Sequence, residues 1–344
     1  MSKSSKPLII TAIVIVAIVA FVYFQKNKNI ATETAVNPST KSDSAVVIAY
    51  QTGVDPTKVA QANGDYEKAS QQTIQWKKFD TGADVVNALA SGDVDIGNIG
   101  SSPFAAAASR NLPIEVFFIA AKLGASEALV VRNSSNIQKP QDLIGKTIAV
   151  PFVSTAHYSL LSALKHWNIA ESQVKIVNLR PPEISAAWER GDIDAAYVWE
   201  PALSKAKVSG KVLTDSKQIG EWGAATYDVW VVRKEFAEKN PQFLKAFVQT
   251  SLKQIDIYNQ APQAFQENSE NIQKISALTG SDPKDIALLL SGNIYLNQQQ
   301  QLQSFQQEFA KNIFDTASFL KAQGKVDQVK ASYQDNINPK FVQP

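Results

Sequence analysis

Four loops in this chain place polar side chains where a strand hands over to a helix. They are Tyr50-Gln51-Thr52-Gly53, Gly100-Ser101-Ser102-Pro103, Pro151-Phe152-Val153-Ser154-Thr155-Ala156-His157 and Tyr197-Val198-Trp199-Glu200-Pro201. A helix start leaves its first N–H groups without intrahelical partners and lies at the positive end of the helix dipole, so loops of this kind hold anions. Ser101, Ser102, Ser154 and Thr155 are suited to cap their helices, and Pro103 is well placed in a first turn. If the first two loops belong to one lobe and the last two to another, they clamp an anionic group between two helix N-termini. Gln51 stands in the first loop. Tyr197 and Trp199 offer aromatic surface to the same cleft.

Catalysis fits these residues less well than binding. Ser154, His157 and Asp228 could be drawn together as nucleophile, base and orienter, but no serine sits in a Gly-x-Ser-x-Gly elbow. The chain has two histidines and no cysteine, which excludes thiolate nucleophiles, disulfides and thiolate metal sites. Histidine and carboxylate clusters with metal-ligand spacing are absent, and nothing calls for a cofactor.

The elements that must position these loops are announced by a repeat. Ala88-Leu89-Ala90-Ser91-Gly92-Asp93-Val94-Asp95 is matched by Ala187-Trp188-Glu189-Arg190-Gly191-Asp192-Ile193-Asp194. Each copy reads as an amphipathic helix, a glycine that closes its last turn in the left-handed region, an acidic turn and a short buried strand. Two further strands resemble each other, Glu127-Ala128-Leu129-Val130-Val131-Arg132 and Asp228-Val229-Trp230-Val231-Val232-Arg233. Strands and helices alternate from Ala45 to Arg233, and the remainder is helical. That alternation predicts an α/β protein with mostly parallel sheets covered on both faces. The organisation expected is a first lobe from residues 45–127 and 233–344 and a second from 128–232. The two Val-Val-Arg strands would be the crossovers, and the ligand site the cleft between lobes.

Charge narrows the partners. The net charge is +2, and residues 1–45 carry about +3 of it, with no basic block in the rest. A nucleic-acid partner, which requires clustered Lys and Arg, is excluded on that ground. Leu8 to Phe24 is apolar but for Thr11 and is flanked by Lys3, Lys6, Lys26 and Lys28. As a helix it covers about 25 Å, at the short end for a membrane span. No small-residue cleavage site follows it, so residues 1–24 are expected to be an uncleaved signal-anchor, with a signal peptide cut after Ala20 as the alternative. Residues 25–44 are polar and aperiodic and read as a flexible tether. Either reading exports the rest of the chain.

Long segments of the chain resemble the nitrate/sulfonate/taurine substrate-binding protein family of bacterial ABC importers. They include KFDTGADVVNALASGDVDIGNIGSSP (78–103), DLIGKTIAVPFVSTAHYSLLSALKHW (142–167), AAWERGDIDAAYVWEPA (186–202) and WGAATYDVWVVRKEFAEK (222–239). The resemblance implies a two-lobe class II periplasmic binding protein with two crossover strands. It implies capture of taurine, 2-aminoethanesulfonate, or a related small sulfonate for sulfur acquisition, and delivery to a membrane permease and its ATPase. Other alkanesulfonates and nitrate are the alternatives, with a pyrimidine-precursor synthase-like enzyme as the rival class. A zwitterion with a sulfonate and an ammonium needs a carboxylate as well as helix starts. Asp228 is the first candidate for that role, Glu127 the second and Glu200 the third.

Overall fold

A computed structural model describes residues 45–344, so the expected signal-anchor and tether lie outside the described residues. Two five-stranded sheets organise the rest. The first is built from β1 (Ala45–Tyr50), β2 (Thr73–Lys78), β3 (Ile96–Gly100), β4 (Ile114–Lys122) and β10 (Tyr227–Arg233), in the order β2-β1-β3-β10-β4. The second uses β5 (Glu127–Arg132), β6 (Thr147–Val150), β7 (Lys175–Asn178), β8 (Ala195–Trp199) and β9 (Gly210–Asp215), in the order β7-β6-β8-β5-β9. The two orders are the same pattern. In each, a parallel trio is closed by one antiparallel strand beside its third member.

The repeat has a structural meaning. Gly92 and Gly191 both adopt φ 83° and end helices α3 (Gly82–Ser91) and α6 (Pro181–Arg190). The last aspartate of each copy then ties two strands together. Asp95 accepts the Val47 N–H at 3.0 Å, and Asp194 accepts the Thr147 N–H at 2.9 Å. The Val-Val-Arg strands run antiparallel beside these units, and their arginines fold back on them. Arg233 pairs with Asp95 at 3.6 Å, while the Arg132 guanidinium lies over the Trp188 ring at 4.5 Å.

That arrangement corrects the expected domain boundary. β10 does not belong to the second lobe. It pairs with β3 and β4, with Asp228 opposite Gly100, and Val229, Trp230, Val231 and Val232 fill the first core. Its likeness to β5 is that of equivalent strands in two separate sheets. The chain crosses between lobes in the short segments before β5 and before β10. The first crossing is pinned by hydrogen bonds from Leu123 N–H to the Thr226 carbonyl at 2.9 Å and from Ala125 N–H to the Gly292 carbonyl at 2.8 Å. Gly124 is required there, because a Cβ would collide with the Gly292 carbonyl oxygen.

Helices cover both sheets. On the first lobe lie α1 (Thr57–Asn63), α2 (Asp65–Ser70), α3 and α4 (Ser101–Ser109). On the second lie α5 (Thr155–His166), α6, α7 (Ala202–Lys207) and α8 (Ser216–Glu221). The chain from Lys234 returns to the first lobe as a run of helices, of which Pro241–Gln260 and Phe309–Ala322 bury Phe247, Phe309 and Ile313 against it. The Gln298–Gln307 helix starts with Asn297 as its cap, accepting the Gln300 N–H, but its glutamines are not all a solvated face. Gln301 is fully buried and bonds both the N–H and the carbonyl of Ile119. Among the described residues no helix is long and apolar enough to cross a membrane.

Candidate functional site

Between the lobes lies a small cavity walled by residues spread along the chain from Gln51 to Asn293. Gln51, Gly53 and Val54 follow β1; Gly82 opens α3; Gly100 and Pro103 flank the start of α4; and Ser154 and Thr155 open α5. Glu127 begins β5, Asp228 is the second residue of β10, Trp199 ends β8, and Leu123, Ser126, Glu200 and Asn293 complete the wall. Its volume is about 50 Å³ for the centre of a water-sized sphere. A single water needs about 10–15 Å³ on that measure, so the space suits a ligand of a few heavy atoms.

Three helix N-termini converge here. α3 is capped by Thr81, which accepts the Asp84 N–H at 3.3 Å. α5 is capped by Ser154, which accepts the His157 N–H at 3.1 Å. Gly100 precedes α4, and glycine is needed because a Cβ would stand 2.7 Å from Thr155 Cγ2 across the cleft. The α5 loop is also strained: Val153, a β-branched residue, sits at φ 63°. Strain of that kind persists where surrounding structure holds it, often beside a ligand.

Two carboxylates stand beside these helix starts. Glu127 accepts hydrogen bonds from Thr155 at 2.6 Å and Ser216 at 2.9 Å. Burial nevertheless pushes it up to about 7, with the nearby charge of Asp228 adding to the effect. Asp228 is also raised to about 7, first by burial and then by Asp55, against a lowering influence from Lys58. No hydrogen bond among the described residues helps to hold Asp228 in its charged form. Its carboxylate faces the cavity with bonding capacity to spare, and Glu127 has largely used its own. Glu200 is committed elsewhere, since it accepts the Ser204 hydroxyl at 2.9 Å and the Ser204 N–H at 3.2 Å.

Gln51, Glu127, Ser154, Thr155, Trp199 and Asp228 therefore meet on one wall, as places in the fold. The Ser154 hydroxyl is occupied, since it also donates to the Pro151 carbonyl at 2.6 Å. The structure keeps Ser101, Ser102, His157 and Tyr197 off the wall. Ser101 Oγ accepts the Tyr227 N–H at 3.2 Å, and Ser102 Oγ is buried without a partner. His157 stacks on Phe152, accepts the Val153 N–H through Nδ1 at 3.3 Å, and is driven down to about 4 by burial. Tyr197 is wholly buried in the second lobe, with its hydroxyl 3.1 Å from Ser216. Tyr197 and Trp199 lie on the same face of β8, two residues apart, and pack in the same cluster; Trp199, half-buried at the strand end, reaches the cleft, while Tyr197, one pleat further in, fills the core. Asn293 was missed. It lies after a helix with no motif around it, yet its side chain accepts from Ser126 Oγ at 2.6 Å and from Gly124 N–H at 3.0 Å.

The likenesses of the chain agree with this architecture. Residues 44–292 match the family model for the substrate binding domain of ABC-type glycine betaine transport systems. The chain is 55% identical over 298 residues to the taurine-binding periplasmic protein of Escherichia coli (strain K12), covering 87% of this chain and 92% of that protein. The crystal structure of the periplasmic aliphatic sulphonate binding protein of Escherichia coli superposes with TM-score 0.70 at 22% identity, over 88% of this chain and 99% of that one. The alkanesulfonate-binding protein of Xanthomonas axonopodis pv. citri, bound to MOPS, gives TM-score 0.69 at 20% identity, over 84% and 96%.

Proposed function

This chain belongs to the family of substrate-binding proteins of ABC-type transport systems, and from that premise we propose that it captures taurine in the periplasm. The observation that carries the reading is the meeting of three helix N-termini with two carboxylates around one small cavity. The helix starts suit a sulfonate, which stays charged and accepts hydrogen bonds from N–H groups without needing arginine. Asp228 suits an ammonium two carbons away, with Glu127 beside it and the Trp199 ring nearby.

The same features weigh against the alternatives. A plain sulfonate or nitrate would bring a negative charge beside Asp228 and Glu127 without the ammonium that pairs with them. A quaternary ammonium such as betaine is held by a cage of aromatic faces, and the described wall carries one aromatic residue, Trp199. An enzymatic reading built on Ser154 and His157 lacks its nucleophile–base pair, because the Ser154 hydroxyl is committed to its cap and to the Pro151 carbonyl and His157 is off the wall. The natural partners of such a binder are a permease and its ATPase. We further read residues 8–24 as a tether to the inner membrane, supported by their apolar run and flanking lysines.

Isothermal titration of the purified protein with taurine, ethanesulfonate, nitrate and glycine betaine tests the proposal. Taurine is expected to bind tightest. A protein that binds ethanesulfonate or nitrate at least as tightly would overturn it.

A further inference from the structure

Behind the cavity wall sits a lysine where lysines are rarely found. Lys58, in the first turn of α1, is 1% exposed. A buried ammonium without a counter-charge is strongly disfavoured. Here Nζ lies 3.6 Å from Asp55 Oδ2 and 5.2 Å from the centre of the Tyr50 ring. Asp55 is itself fixed, accepting the Thr57 N–H at 2.8 Å through its other oxygen.

The loop that carries Asp55 also packs against Asp228. A Cβ placed on Gly53 would stand 3.4 Å from Asp228 Oδ2, so backbone and carboxylate are close neighbours. Four charged or titratable groups act with Asp228. Asp55 and Lys58 come from the loop and α1, Glu127 from β5, and Tyr295 from the segment after the Pro283–Ser291 helix. Lys58 is the cation among them. Lys58 offsets one of the acids, so the cluster stays net negative and suits a cationic group on a ligand.

We propose that Lys58 is a positioning residue of the ammonium subsite: its buried ammonium is the standing counter-charge behind Asp228, keeping that carboxylate ready for a ligand's cation. The inference rests on the taurine reading for the identity of the cation, but the charge arrangement exists before any ligand binds. Without Lys58, two acids share one buried region, and one of them must take up a proton. A cationic ligand would then have to displace that proton. With Lys58 in place, the ligand meets a carboxylate that gives up its proton more readily. The burial that raises Asp228 is the reason the counter-charge matters.

Carbon-13 NMR titration of the Asp carboxyls in the full, ligand-free chain tests this, with the Asp228 signal assigned by its loss in Asp228→Asn. Lys58→Met is expected to raise the Asp228 midpoint by about one pH unit, equivalent to a tenfold change in proton affinity. Asp55→Asn, which keeps the acceptor for Thr57, is expected to lower it. Lys58→Arg is expected to preserve the parent midpoint. Taurine binding at pH 7 should weaken by roughly tenfold in Lys58→Met and recover toward the parent value near pH 8. If Lys58→Met fails to fold, Lys58→Gln, which can still reach Asp55 through its amide, replaces it. An Asp228 midpoint unmoved by loss of the lysine charge overturns the proposal, whatever happens to affinity. Shifted midpoints in a protein that does not bind taurine uphold the role of Lys58 and sink the taurine reading instead.

Discussion

The hydroxyl of Thr52 on the first lobe donates to the carbonyl of Glu200 on the second at 2.7 Å. The two residues follow β1 and β8, and both adjoin the cavity, so this bond joins the lobes at its rim. Other ties lie further out. Arg180 pairs with Asp84 and approaches Asp80 at 4.0 Å. Gln323 donates to Glu171 at 2.7 Å, and Tyr158 meets Phe319 edge to face at 4.9 Å. These contacts join the lobes on several sides, and the two short crossings between them can act as a hinge.

Closure is expected to follow ligand. Small-angle scattering should show a more extended particle without taurine and compaction at saturation. Arg180→Ala removes a half-exposed tie that touches no part of the cavity wall. Exposed pairs contribute about 0.2–1 kcal/mol, so taurine release should quicken by about 1.5–5-fold with little change in association. Identical scattering with and without ligand would show a cleft that is closed throughout.

Asp228→Asn keeps shape and removes charge. Taurine binding should weaken by at least about tenfold, or about 1.4 kcal/mol. Ethanesulfonate, without the amine, should bind as well or better. If Glu127→Gln or Glu200→Gln weakens taurine while Asp228→Asn does not, the ammonium partner is misassigned.

Taurine affinity should fall with acidity. Asp228 and Glu127 both titrate near 7 in the ligand-free site, and an ammonium favours their charged forms. Protons therefore compete with the ligand as pH drops through 7, and binding at pH 6 should be about tenfold weaker than at pH 8. Calorimetry at matched ionic strength across that range reads it directly. A flat profile would show that neither carboxylate meets the ligand's cation.

The same carboxylate costs stability. Its folded value near 7 lies above the unfolded value near 4, so the folded state holds the proton more tightly. The resulting stabilisation is complete below about pH 4 and is lost as pH rises through 7. Asp228→Asn has no such loss, so without ligand its melting temperature at pH 8 should exceed the parent's by roughly 2–4 °C. Near pH 4 the two proteins should melt together.

The N-terminal run should remain attached to the mature protein. Intact mass of the membrane-extracted chain should include residues 8–24. A soluble periplasmic form beginning after Ala20 would show that the segment is a cleaved signal.

What could be read from the sequence was local. Gly92 and Gly191 marked helix ends because only a left-handed residue closes those turns, and Asp95 and Asp194 followed at the same spacing in both copies. Ser154 announced its cap, and the acidic starts of β5 and β10 announced carboxylates where strands meet loops. Tertiary structure decided what local pattern cannot encode. It assigned β10 to the first sheet, because pairing partners 100 or more residues apart leave no trace in periodicity. It left Tyr197 in the core and Trp199 at the cleft, although both share one face of β8, because the strand ends at Trp199 and the lobe boundary lies there. It also brought Asn293 to the wall and Lys58 behind it. Neither carried a motif, since the roles of both come from the distant chain segments packed against them.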